Sequence, residues 1–139
     1  NKEKLYQAAM SRYCDSMMGG ILDQLGAPGD PKEILRSFFE MVVDGSMAEG
    51  PSKGCFMTNS AVELGPHCSR TADKVAANQD RLEQALCSLA ERADLKGNKP
   101  RAIARFLSNT LTGLSVAAKR KPAREELQDI VDVALSIFD

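Results

Sequence analysis

The side chains able to do chemistry beyond simple ion pairing are few: Cys14, Cys55, Cys68, Cys87 and a lone histidine, His67. Cys55 has the sharpest setting. It follows Gly54 at the predicted start of a short helix, where unpaired N–H groups and the helix dipole lower a thiol's pKa. A thiolate there reacts with electrophiles or oxidants, with Lys53 as the nearby cation; the plainer reading is a small buried hydrophobe. His67-Cys68 beside a turn could suggest a metal. Structural zinc needs four ligands with close pairs, however, and Cys55 stands thirteen residues before Cys68, so a capped turn is the better reading. No Cys-x-x-Cys pair, Gly-rich phosphate loop, nucleophile elbow or carboxylate pair with a plausible base is present. Neither catalysis nor a cofactor is expected, and the cysteines read as free thiols of a reducing cytoplasm.

The elements that must position these residues are helices. Apolar residues recur at three- and four-residue spacing almost throughout, and no segment sustains the alternation of a half-buried strand. The spacing predicts a first helix from Lys2 to Leu25, with Leu5, Ala9, Tyr13 and Met17 on one stripe and Tyr6, Met10, Cys14 and Met18 beside it, stopped by Gly26-Ala27-Pro28-Gly29. Asp30, Pro31 and Glu33 then form a strong start signal. The second helix carries Ile34, Leu35, Phe38, Phe39, Met41, Val42 and Val43, enough apolar surface to be buried on two sides. Gly50-Pro51-Ser52-Lys53-Gly54 breaks it. A short third helix runs from Cys55 to Leu64 before Gly65-Pro66, and Ser69 caps a fourth, through Val75, Leu82, Leu86 and Leu89 to Ala93.

Asn98 is read as the cap of a fifth helix, with Pro100 in its first turn and Ile103, Phe106, Leu107, Thr110, Leu111, Leu114 and Ala118 as its core stripe. Lys119-Arg120-Lys121 suits its C-terminal dipole end. Pro122 starts the last helix, with Glu125 and Glu126 in its first turn and a wide stripe of Leu127, Ile130, Val131, Val133, Ala134, Ile137 and Phe138. Small residues on the other face of the fifth helix, Ser108, Asn109, Thr112, Gly113 and Val116, would let another helix approach closely. The last two helices thus read either as half of a four-helix interface, completed by a second copy, or as a surface packed against the first four helices of the same chain.

Composition bounds the rest. The 139 residues fit one domain, 43% of them hydrophobic and 27% charged, and 18 Lys plus Arg against 19 Asp plus Glu leave no basic excess to advertise nucleic acid. No run approaches the roughly 20 apolar residues that cross a bilayer, so no membrane partner is expected. Beginning on a helix-like Asn1-Lys2-Glu3 rather than on methionine, the sequence is expected to lack an upstream part.

Several patterns, in order, resemble the regulatory domain of TetR/AcrR-family transcriptional repressors. Asn1-Lys2-Glu3-Lys4-Leu5-Tyr6 is similar to the segment opening the helix after that family's helix-turn-helix headpiece. Gly54-Cys55-Phe56-Met57-Thr58-Asn59 and Glu63-Leu64-Gly65-Pro66-His67 resemble stretches of one large branch, and the likeness continues through Arg105-Phe106-Leu107 and Thr112-Gly113-Leu114. The resemblance implies an all-α regulatory domain of about six helices, in a cytoplasmic homodimer that binds operator DNA through a headpiece absent from these residues. It also implies a small apolar or amphipathic inducer between the first helices and the dimer-forming pair.

Tyr13, Met17, Phe38, Phe39, Val42, Cys55, Phe56, Asn59, Phe106 and Thr110 fall on the stripes that would enclose such a ligand, Asn59 as its polar anchor. Six methionines without a tryptophan suit an adaptable cavity. Asn109, Thr112, Gly113, Val116, Leu127, Ile130, Val133, Ala134 and Ile137 are the expected dimer contacts. The rivals are a stand-alone helical binding module without DNA-binding activity and a small-molecule enzyme, for which His67 in a turn is a poor base.

Overall fold

A computed structural model of the chain describes residues 1–48, 50 and 54–139. Among them are six α-helices and no strand: α1 (Lys2–Leu25), α2 (Pro31–Ser46), α3 (Phe56–Glu63), α4 (Ser69–Arg92), α5 (Pro100–Ala117) and α6 (Arg124–Leu135). Short 3₁₀ turns, Ala118–Arg120 and Ser136–Phe138, follow the last two. The all-helical expectation is borne out.

The strongest start signal works as its chemistry requires. The Asp30 carboxylate accepts the Glu33 N–H at 3.0 Å and Pro31 opens α2, filling a position whose N–H would have no helical partner. Weaker signals slip by a residue or two. Cys55 is the N-cap of α3 rather than its first residue, and Cys68, not Ser69, precedes α4. Lys99, not Asn98, precedes α5, and its ammonium, a donor only, makes no cap bond, while Pro100 sets the first turn. The last helix begins at Arg124 rather than Pro122: Lys121 closes the preceding turn at φ 52°, and Glu126 reaches back to accept the Ala123 N–H at 2.9 Å. Helix α2 ends at Ser46, ahead of the expected break, of which Pro51, Ser52 and Lys53 lie outside the described residues.

Helix α4 packs along α5, α2 lies against α6, and α1 rests on α4 and α2. Their apolar stripes meet in one core, where Leu25, Leu35, Phe38, Phe39, Leu86, Leu107, Leu114, Leu127, Val131 and Leu135 are all but sealed from water. Helix α2 touches α1, α4, α5 and α6, which accounts for its wide apolar surface. On α1, the stripe through Met10 and Met18 faces inward, whereas Leu5 and Met17 are exposed.

Candidate functional site

Where α1, α2 and α5 diverge, the core opens into a cavity of about 490 Å³. Its walls follow helical spacing. Tyr13, Met17 and Ile21 lie one turn apart on α1; Phe38, Met41, Val42, Gly45 and Ser46 line one side of α2; Leu111, Ser115 and Ala118 come from α5 and the turn after it. Ala48, Gly54 and Cys55 complete the lining. The volume lies within the range of small-molecule sites, and the lining has their usual character, apolar with a few polar groups.

Those polar groups are largely spent. Ser46 Oγ donates to the Val42 carbonyl at 2.8 Å, and Ser115 Oγ to that of Leu111 at 3.1 Å, each within its own helix. The Tyr13 hydroxyl lies 3.8 Å from Cys55 Sγ, a long contact with a weak sulfur partner. Burial, seconded by Cys55 and opposed by a Phe56 backbone hydrogen bond, pushes the Tyr13 phenol up to about 12, so it stays a neutral donor.

The structure brings Tyr13, Met17, Phe38, Val42 and Cys55 together on this cavity. Five other expected contacts lie elsewhere. Phe39 is sealed in the core beside Phe38, their ring centroids 5.8 Å apart. Phe56 stands behind Tyr13 with its ring edge-on at 5.3 Å and so supports the wall without forming it. Asn59 Oδ1 accepts from Lys119 Nζ at 2.6 Å, tying α3 to the turn after α5. Phe106 is 49% exposed, and the Thr110 hydroxyl donates to its carbonyl at 2.9 Å. The inward face of α5 runs through Ile103, Ala104, Leu107, Ser108, Leu111 and Leu114, which turns Phe106 outward. Continuing Tyr13 and Met17 by one turn would have found Ile21, and following Val42 would have found Ser46.

A second surface lies outside α5 and α6. Phe106, Val116 and Val133 are 49, 50 and 68% exposed, and Ile130, Asn109 and Gly113 are exposed with them. Thr112 is half-buried and donates to the Ser108 carbonyl. Leu127 and Ala134, expected in the same interface, are buried in this chain's own core, and Ile137 packs against it. Ser108, read from spacing as outward, is sealed and accepts from Gln79 Nε2. The α6 stripe therefore divides: one edge faces inward and the other, Ile130 and Val133, remains uncovered.

Residues 31–134 match the family model described as tetracyclin repressor-like, C-terminal domain. The chain belongs to that family. Over 99% of its length, it is 31% identical to a protein named an uncharacterized HTH-type transcriptional regulator, YezE, of Bacillus subtilis strain 168, spanning 74% of that relative. It is 27% identical over the same share to the HTH-type transcriptional repressor ComR of Escherichia coli strain K12, spanning 69% of it. No solved structure matches the chain.

In this tetracyclin repressor-like domain the family match begins at α2, so the α1 wall of the cavity lies outside it but inside the alignments with both relatives. A polar seam ties the start of α1 to α3 and α4. Gln7 Nε2 donates to Thr71 Oγ1 at 3.0 Å; Lys74 Nζ donates to the Gln7 carbonyl at 3.0 Å and to Ser11 Oγ at 2.6 Å. Tyr6 and Ser60 hydroxyls meet at 2.5 Å, and because Ser60 donates to the Phe56 carbonyl, Tyr6 is the donor. Cys14 Sγ lies 3.2 Å from Met57 Sδ, and burial pushes its thiol up. The Cys68 thiol is held below its ordinary value through hydrogen bonds with Thr71. Cys55 lines the cavity, and Lys53, expected beside it, lies outside the described residues. Among the described residues, no group of three or more His, Cys, Asp or Glu could hold a metal, and no helix is long and apolar enough to cross a membrane.

Proposed function

We propose that the chain is the ligand-binding and dimerisation domain of a cytoplasmic, small-molecule-responsive transcriptional repressor. The observation that carries this reading is the apolar cavity between α1, α2 and α5, in a chain of the tetracyclin repressor-like family. Its ligand is a small apolar or amphipathic molecule. The uncovered stripe of Phe106, Val116, Ile130 and Val133 supports a homodimer through α5 and α6. The names of the two relatives, both HTH-type, support operator DNA as the partner of a headpiece outside these 139 residues.

In that arrangement α1 links ligand to DNA, because Tyr13 and Met17 form cavity wall on the helix that would follow the headpiece. Dimeric helix-turn-helix proteins place their recognition helices in half-sites about 34 to 36 Å apart, so a small shift of α1 spoils simultaneous docking. A ligand preferring the shifted state by roughly 1 to 3 kcal/mol weakens operator binding about 5- to 150-fold.

Sedimentation equilibrium of the 139-residue chain, combined with a fluorescence titration by the neutral apolar dye N-phenyl-1-naphthylamine, tests the reading. A dimer that becomes monomeric in the Val116→Glu/Val133→Glu variant, and a dye that binds both, are the expected results. A wild-type monomer that takes up no dye would leave neither half of the proposal standing.

A further inference from the structure

The charge and hydrogen-bonding capacity of the cavity restrict what it can hold. None of its described lining residues is charged. A carboxylate or ammonium enclosed among these residues would lose hydration without gaining a counter-charge from them, a cost methionines and aliphatic side chains do not offset. Ser46 and Ser115 already donate to carbonyls of their own helices. Cys55 supplies only a weak S–H donor. What remains is the Tyr13 hydroxyl, whose contact with Cys55 Sγ at 3.8 Å is long enough to give up for a better acceptor. Phe56 holds the Tyr13 ring edge-on from behind, so the hydroxyl keeps its place whether or not a ligand is present.

We infer that the ligand is an uncharged, largely hydrocarbon molecule carrying one hydrogen-bond acceptor oxygen, such as a ketone or ether, which the Tyr13 hydroxyl engages inside the cavity. This rests on the ligand-binding reading above and narrows it. The described lining favours neutral molecules over charged amphiphiles, and Tyr13 becomes the specificity-determining residue. The methionines at the cavity, Met17 and Met41, are both partly exposed and adapt to the hydrocarbon part without fixing its shape.

Three compounds of shared skeleton test it by displacement of N-phenyl-1-naphthylamine: diphenylmethane, benzophenone, which adds one carbonyl, and 4-benzoylbenzoate, which adds a carboxylate. Benzophenone is expected to bind roughly fivefold more tightly than diphenylmethane, the scale of one net hydrogen bond. In Tyr13→Phe that advantage disappears while diphenylmethane binds as before, and 4-benzoylbenzoate binds at least about tenfold more weakly than benzophenone to the wild type. Two results overturn the inference while leaving a ligand site in place: 4-benzoylbenzoate binding as tightly as benzophenone, or a benzophenone advantage that survives Tyr13→Phe. The carboxylate measurement needs no variant, so it decides even if Tyr13→Phe is poorly folded. It also covers Glu49 and Lys53, which lie outside the described residues. Gly45 lines the cavity and has open space where a Cβ would stand, so the Gly45→Leu side chain takes up part of the volume and should weaken binding of both neutral compounds. Diphenylmethane affinity unchanged in Gly45→Leu puts the compound elsewhere and overturns the cavity reading as well.

Discussion

Helix α1 is held in two different ways along its length. Toward its C-terminal end, Met18 and Leu25 are buried in the apolar core, with Ile21 and Leu22 packed beside them. Toward its start, Met10 is fully buried and the Tyr6 ring packs on Phe56 at 5.6 Å, but much of the fixation is polar: Gln7 on Thr71, Lys74 on Gln7 and Ser11, Tyr6 on Ser60. Apolar burial is non-directional and tolerates no vacancy, whereas hydrogen bonds are directional and can exchange partners. The seam even holds unspent capacity, since Gln7 Oε1 is buried with no hydrogen-bond partner among the described residues. One end of α1 is therefore an anchor and the other an adjustable contact, with the cavity residues Tyr13 and Met17 between them. That division suits a helix asked to convert occupancy of a cavity into movement of its own leading end.

The anchor should be the costlier end to damage. Leu25→Ala removes a side chain only 1% exposed and is expected to destabilise the fold by about 3 kcal/mol, read as a lower urea midpoint with an unchanged slope. At the other end, Thr71→Val keeps the shape but deprives the Gln7 amide of its acceptor, for a loss of about 1 to 2 kcal/mol. The contrast can be sharpened with a double-mutant cycle. Gln7→Leu combined with Thr71→Val should recover much of the single loss, because both polar partners are then gone. A Thr71→Val variant as damaging as Leu25→Ala would dissolve the distinction between the two ends.

Within the anchored end stand Gly19 and Gly20. A Cβ at either meets nothing within 4 Å, so packing does not require a glycine at these places. In a helix interior each glycine costs about 0.5 to 1 kcal/mol relative to alanine. Gly19→Ala/Gly20→Ala should accordingly raise stability by about 1 to 2 kcal/mol, visible as a higher Tm. Slower amide exchange through the middle of α1 would accompany it. An unchanged Tm would mean that α1 frays or bends there already in the folded protein.

Most of this arrangement was legible from residue spacing. Gly26-Ala27-Pro28-Gly29 and Asp30-Pro31 punctuate the chain by steric and hydrogen-bonding rules that act locally, so the bounds of α1 and the start of α2 follow from them. The cavity was half legible. Tyr13, Met17, Phe38 and Val42 share helical stripes, but a stripe does not say whether it meets another helix or a void. Phe39, one residue from Phe38, went to the sealed core for that reason. On α5 a rotation of one residue exchanged Leu111 and Ser115 for Thr110, because two apolar stripes run along that helix and only tertiary packing selects which faces in. Leu127 and Ala134 read as dimer contacts because α6 is apolar on two sides; nothing in spacing distinguishes the side that α2 covers from the side left open.

The effect confined to alkaline pH concerns Tyr13, midway between the two ends of α1. Its phenol is pushed up from 10.0 to about 12 in the folded chain, chiefly by burial. A folded-state pKa above the unfolded one means that the unfolded chain releases this proton first as the pH rises. The stability Tyr13 contributes is therefore complete below pH 10 and is lost progressively up to about pH 12, with no further loss beyond. In urea melts between about pH 9 and 12, wild type should thus lose stability relative to Tyr13→Phe as the pH rises, since phenylalanine keeps the ring against Phe56 but has no proton to lose. A constant gap between the two proteins over that interval would place the Tyr13 hydroxyl in a wetter setting than the cavity wall, and the donor role assigned to it would lose its physical basis.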